Sequence, residues 1–107
     1  MPAIVTFDEK HGVLVVTGDE DRTTSGRRRR PLSRALGASR DVRVDLSELR
    51  FADSSLIVDL AVLAQRLRAQ GRRLRVLGPQ PQIRRLIELV GLHRMPAVAI
   101  EPAAALA

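Results

Sequence analysis

Three consecutive side chains able to carry chemistry, Asp53, Ser54 and Ser55, head a long apolar run in "LRFADSSLIVDLAVLAQRLRAQG", Leu49 to Gly71. A carboxylate beside two hydroxyls can cap a helix, take part in a transfer reaction, or accept a phosphoryl group. The transfer reading is the weakest. A serine nucleophile needs a base within hydrogen-bond reach, and neither His11 nor His93 has an obvious acidic orienter or a Gly-flanked elbow. As a cap, Asp53 or Ser54 would accept a bond from an orphan amide one or two residues later, worth about 1 kcal/mol. As a phosphoacceptor, Ser54 would set its phosphate against the free amides and positive dipole end of the helix. The added charge, about −1.5 to −2, would then lie beside Asp53 on the surface a partner would occupy. The helix tolerates that charge and a docked partner does not. Cap and switch both remain open on these residues alone.

A strand must deliver this corner and a helix must leave it. "DVRVDLS" alternates apolar and charged residues and predicts a strand over Val42 to Leu46, with the corner Phe51–Ser55 joining its end to the next helix. In open α/β sheets the loops at the carboxyl ends of strands are where ligands and partners meet the fold. The helix is expected from Ser55 to about Gln70, stopped by Gly71. Stepping by 100° places Leu56, Leu60, Leu63, Ala64 and Leu67 on one face, with Ile57 at its edge. Val58 and Val62 fall opposite, with Ala61 and Gln65. Two outward valines one turn apart beside Ser54 mark a docking surface, or else a helix covered on both sides by the fold.

The remaining elements follow from the same patterns. "AIVTF" and "GVLVVTG" are β-rich runs around "DEKHG", a hairpin turn closed at Gly12. A short helix is expected from about Arg30 to Ala38, with Pro31 in its first turn and Gly37 near its end. "RRLRVLG" predicts a fourth strand, "PQPQIRRLIELVGLHR" a helix opening at Pro81 and closed by Gly91, and "PAVAI" a last short strand before the tail "EPAAALA". Strand–helix–strand alternation from Val42 onward requires parallel neighbours joined by right-handed crossovers. The expected fold is α/β, one domain over residues 1–107. It has a mixed sheet of about five strands, an N-terminal hairpin and then β-α-β-α-β, with helices packed against it.

Composition removes several functions. The chain has no cysteine, which excludes disulfides and thiolate metal sites, and its two histidines are too few and too far apart for a histidine metal cluster. No catalytic residue, metal or cofactor is therefore expected. No stretch has signal-peptide or membrane-spanning length, so a cytoplasmic protein without a membrane partner is the expectation. The net charge is +6, nearly all arginine, in "RRRRP" at Arg27 to Arg30 and in "RLRAQGRRLR". Such charge can attract nucleic acid. Against that, Phe7 and Phe51 are the only aromatics on which a base could stack. Clusters this short read as solvated surface.

Four pieces in order give a resemblance. "TGDEDRTT" is similar to a Gly-Glu-Leu-Asp-x-x-Thr turn, and "VRVDLSELRFADSS" to a strand running into an Asp-Ser-Ser motif. "GRRLRVLG" and "PQPQIRRLIELVGLHR" are similar to the strand and the helix that follow. Together they resemble the STAS domain of bacterial anti-sigma-factor antagonists over nearly the whole chain. The resemblance implies a non-enzymatic, STAS-type domain that binds a serine-kinase anti-sigma factor. The kinase would phosphorylate Ser54 and end the interaction; a serine phosphatase would restore it. It also implies a partner surface formed by Asp21 and Thr24 in the adjoining loop, with Asp53, Ser54 and Ser55 at the corner and Val58 and Val62 on the helix. The family commonly follows its two serines with Gly-Leu-Gly, where this chain has Leu56, Ile57 and Val58, and a small residue with Val62. Bulk there would weaken a typical kinase contact or reshape it for another partner. The alternatives are a structural STAS scaffold whose corner is only a cap, and, behind it, a basic nucleic-acid-binding module.

Overall fold

The computed structural model describes residues 3–20 and 25–102, with only the backbone of Glu20 and Ser25. β1 (Ile4–Asp8) and β2 (Val13–Glu20) form the expected antiparallel hairpin, in register from Ile4↔Thr17 to Asp8↔Val13. Gly12 closes it at φ 68°, its N–H on the Asp8 carbonyl at 2.8 Å. A Cβ at Gly12 would lie 2.7 Å from Arg40 Cδ and 3.0 Å from the Asp41 carbonyl oxygen, so the turn and the close approach both require glycine.

A 3-10 turn (Ser25–Arg28) leads into α1 (Arg29–Gly37), then β3 (Val42–Asp45), β4 (Leu49–Ala52) and α2 (Ser54–Ala69). β5 (Leu74–Leu77), α3 (Pro81–Val90), a second 3-10 turn (Leu92–Arg94) and β6 (Val98–Glu101) complete the chain. The sheet runs β1-β2-β3-β5-β6, with β2, β3, β5 and β6 mutually parallel. The α/β class and the mixed sheet are as expected, and the predicted elements fall within two residues of those observed.

The strand count differs. The sheet has six strands, because the chain does not run straight from β3 into the corner. Asp45 Oδ1 accepts bonds from the Ser47 amide at 3.0 Å and from its hydroxyl at 2.6 Å, and the Leu49 amide bonds the Leu46 carbonyl. This side-chain turn interrupts the strand without reversing its direction. The chain resumes in the same direction as β4, which pairs parallel with the far end of β2 as Gly18↔Leu49, Asp19↔Phe51 and Glu20↔Ala52. The corner therefore hangs from β4, not from β3.

α2 lies between α1 and α3, and buries Leu56, Ile57, Leu60, Leu63, Ala64 and Leu67 against Leu14, Val16, Val42, Val44, Leu74 and Val76 of the sheet. The wheel placed all six correctly. One arginine of the second basic cluster is a correction. Arg72 is buried rather than solvated, and its guanidinium donates to the carbonyls of Ala35, Leu36 and Arg40 and to Gln70 Oε1 at 2.6–2.8 Å. It satisfies the last turn of α1 and ties it to the approach to β3.

Candidate functional site

β4 delivers Asp53 in an extended conformation, φ −72° and ψ 143°, which ends the strand and lets the helix begin at Ser54. Asp53 Oδ1 accepts the Ser55 amide at 2.9 Å, so Asp53 and not Ser54 is the N-cap. The Leu56 amide bonds the Asp53 carbonyl at 3.0 Å. The amides expected to cradle a Ser54 phosphate are thus already engaged on Asp53. A phosphate there would meet solvent and the Asp53 carboxylate.

The two serines are not equivalent. Ser54, the first helical residue, is exposed. Ser55 is half-buried, and its Oγ accepts a bond from Arg28 Nη2 at 2.9 Å. The same guanidinium donates through Nε to Asp59 Oδ2 at 2.6 Å. Ser55 and Asp59 stand one turn apart on α2, and the planar fork of arginine spans both. Arg28 is 4% exposed, against the expectation that Arg27 to Arg30 form a solvated run; only its neighbours Arg27, Arg29 and Arg30 face water. Sequence reading missed this residue. A signal was available, in an acid one turn after Ser55 on a helix face with no basic residue beside it.

Apolar side chains stand exposed on the helix that follows the serines. Val58 is 47% and Val62 41% exposed, which removes the alternative of a helix covered on both sides. Phe51, two residues ahead of Asp53 and 57% exposed, extends the apolar character of the corner, and sequence reading did not single it out. Between α1 and α2 lies an open groove of about 490 Å³, walled by Leu32, Leu36, Val62 and Arg66, with the Arg28–Asp59 pair on its lining. Arg50 Nη2 meets Asp19 Oδ2 at 3.3 Å and joins β4 to β2 beside the corner. Asp53, Ser54, Ser55, Val58 and Val62 are thus brought together. Asp21 and Thr24 lie outside the described residues.

His11, contrary to expectation, does have a carboxylate partner: its Nδ1 lies 2.7 Å from Asp8 Oδ2, and that bond holds the Asp8 carboxyl below its ordinary value. The pair sits on the β1–β2 turn, at the opposite end of β2 from the corner, roughly 23 Å away at the rise of an extended strand. Among the described residues no group of histidines and carboxylates is placed to hold a metal, and no helix is long and apolar enough to cross a membrane.

Comparison with solved structures shows the same fold. A candidate anti-sigma factor antagonist of Thermotoga maritima is 14% identical, with 92% of this chain and 85% of that one covered at a TM-score of 0.70. The anti-sigma factor antagonist SpoIIAA in its unphosphorylated form is 22% identical, with 92% and 86% covered at 0.70. The phosphorylated form from Bacillus is 22% identical, with 92% and 89% covered at 0.65. Comparison with curated proteins finds no matching sequence. The family model described as "Mlab, STAS domain" matches residues 4–100, and with that match over nearly its whole length, on the sheet and helices described above, this chain belongs to the STAS domain family.

Proposed function

We propose that the protein is a non-enzymatic regulatory binding module of the anti-sigma-factor antagonist kind, acting in the cytoplasm. In this reading it docks a serine-kinase anti-sigma factor through the corner at the head of α2. Phosphorylation of Ser54 ends the interaction, and a serine phosphatase restores it. The observation that carries the reading is the contrast at the corner: an exposed hydroxyl at Ser54 beside exposed Val58 and Val62, next to a second hydroxyl already engaged. SpoIIAA, whose fold this chain shares, has been solved in both unphosphorylated and phosphorylated forms, which supports a phosphorylation switch on this scaffold. A phosphate brings a charge of about −1.5 to −2 onto a surface where Asp53 already stands, and a partner seated there loses contacts to repulsion and desolvation. Asp21 and Thr24 belong to the same proposed surface.

Mixing the purified chain with a serine-kinase anti-sigma factor of the same organism and ATP tests the assignment. Label is expected on the wild type and on Ser55→Ala, and absent from Ser54→Ala. Label on both serines, or on neither, defeats it.

A second reading, a STAS scaffold without a working switch, is favoured by one observation. Asp53 occupies the first-turn amides that would otherwise receive the phosphate. A stable complex with a native partner, unaffected by Ser54→Asp and free of phosphorylation, would select it.

A further inference from the structure

We propose that Arg28 decides which of the two adjacent serines accepts a phosphoryl group, by engaging Ser55 and leaving Ser54 to the kinase. The inference rests on the reading of the corner as a phosphoswitch and adds its specificity determinant. Ser54 and Ser55 carry the same hydroxyl on consecutive residues, so intrinsic reactivity cannot separate them. In the transfer step a serine Oγ forms a bond to the γ-phosphorus of ATP while the bond from that phosphorus to the β,γ-bridging oxygen breaks. ADP departs, and the hydroxyl proton passes to the kinase's base. The acceptor oxygen must therefore present a lone pair to open space.

Ser55 Oγ does not. One lone pair is taken by Arg28 Nη2 at 2.9 Å, and the guanidinium is itself pinned by its Nε on Asp59 at 2.6 Å and buried to 4% exposure. The Ser55 amide is held by Asp53 as well, so backbone and side chain are both fixed. Ser54, one residue earlier, is exposed. The geometry also accounts for one member of the run Arg27 to Arg30. Lysine at position 28 would give a point charge where two acceptors one helical turn apart need a planar pair of donors. Arg28 touches neither ATP nor the reacting phosphorus; it acts by positioning Ser55.

The experiment uses the full chain, a purified serine-kinase anti-sigma factor of the same organism and ATP, with site-resolved mass spectrometry of the labelled serine. Wild type is expected to carry phosphate on Ser54 alone, and Ser54→Ala to carry none. In the Ser54→Ala background, Arg28→Ala should raise the rate of labelling at Ser55 at least about tenfold, the factor set by ~1.4 kcal/mol of lost restraint. Asp59→Ala in the same background leaves the arginine in place but frees its second anchor, and should give a smaller rise. It serves as the decisive variant if the circular dichroism spectrum shows that Arg28→Ala does not fold. Labelling confined to Ser54 in wild type, with Ser55 still unlabelled in both folded double variants, leaves the phosphoswitch standing and overturns the role of Arg28. So does a fall in Ser54 labelling in Arg28→Ala, which would make the arginine a phosphate receptor. A wild type without phosphate on either serine removes the phosphoswitch and this inference with it.

Discussion

Replacing both outward valines, Val58→Ala with Val62→Ala, should weaken partner binding far more than it weakens the fold. Each substitution deletes two carbons, about 0.8 kcal/mol apiece when fully buried. The valines are 47% and 41% exposed, so a little over half of that transfer energy is already realised in the free protein. The loss is about 0.8 kcal/mol per site, and alanine's higher helix propensity returns roughly 0.5 kcal/mol of it. The double variant should thus lose only about 0.6 kcal/mol of unfolding free energy. A partner that covers the remaining half of both side chains would lose about 1.6 kcal/mol, or roughly fifteenfold in Kd. Urea unfolding and titration calorimetry with the cognate partner read the two quantities on one preparation. Leu60→Ala, at a fully buried position on the opposite face of α2, is the contrasting control and should cost ~2–5 kcal/mol in stability. The reasoning is refuted if the valine pair costs more in stability than in affinity, because the outward face would then be a packing face.

Ser54→Asp should reduce partner affinity and leave the melting temperature within a few degrees, since an acidic residue at the first helical position is favoured by the dipole and opposed by Asp53; an unchanged Kd would contradict the proposed switch. Arg72→Met should cost about 3 kcal/mol in urea unfolding, because it abandons four acceptors that the buried guanidinium now satisfies, and a loss below about 1 kcal/mol would show that water replaces it freely. Hydrogen bonds from Arg75 hold the Glu101 carboxyl below its ordinary value of 4.5. With the folded pKa depressed, the pair contributes stability that is present above pH 4.5 and lost as pH falls through the lower folded value. Glu101→Gln should therefore show a shallower loss of stability on acidification below that pH than the wild type, and parallel profiles would reject the linkage.

What was legible in the sequence was whatever repeats with a short period. Leu56, Leu60, Leu63 and Leu67 recur at helical spacing, and Val42, Val44 and Leu46 alternate, so the core face of α2 and the inward face of β3 could be read directly. The turn at Gly12 and the helix stop at Gly91 carried their own backbone signals and are found at φ 68° and 90°. β4 was not legible, because its four residues show no alternation and exist as a strand only through pairing with β2, some thirty positions earlier in the chain. Arg28 and Arg72 were misread for a related reason. Charge in a run predicts solvent, and only the folded chain brings Ser55 and Asp59 to one arginine and the end of α1 to the other. The outward placement of Val58 and Val62 was legible as an angle on a wheel; that both stay exposed required the whole fold.

If Ser54 is the switch, its effect must be electrostatic at the surface and cannot be a refolding of the helix. Leu56 and Ile57, the next residues but one and two, are buried to 1% and 0% exposure, and Asp53 caps the same turn. Unwinding that turn would return both side chains to water, about 1.5–3 kcal/mol each, and sacrifice a cap worth about 1 kcal/mol. A phosphate on Ser54 has no comparable energy to gain from unwinding, since it already stands in solvent near a positive helix end. The modified chain should keep its backbone and change only what can approach it. Amide chemical shifts are then expected to move at residues 52–57 on phosphorylation and to stay fixed along the rest of α2. Shifts spreading through Leu60 and Leu63 would mean that the first turn melts, and that the partner is released by a change of shape rather than of charge.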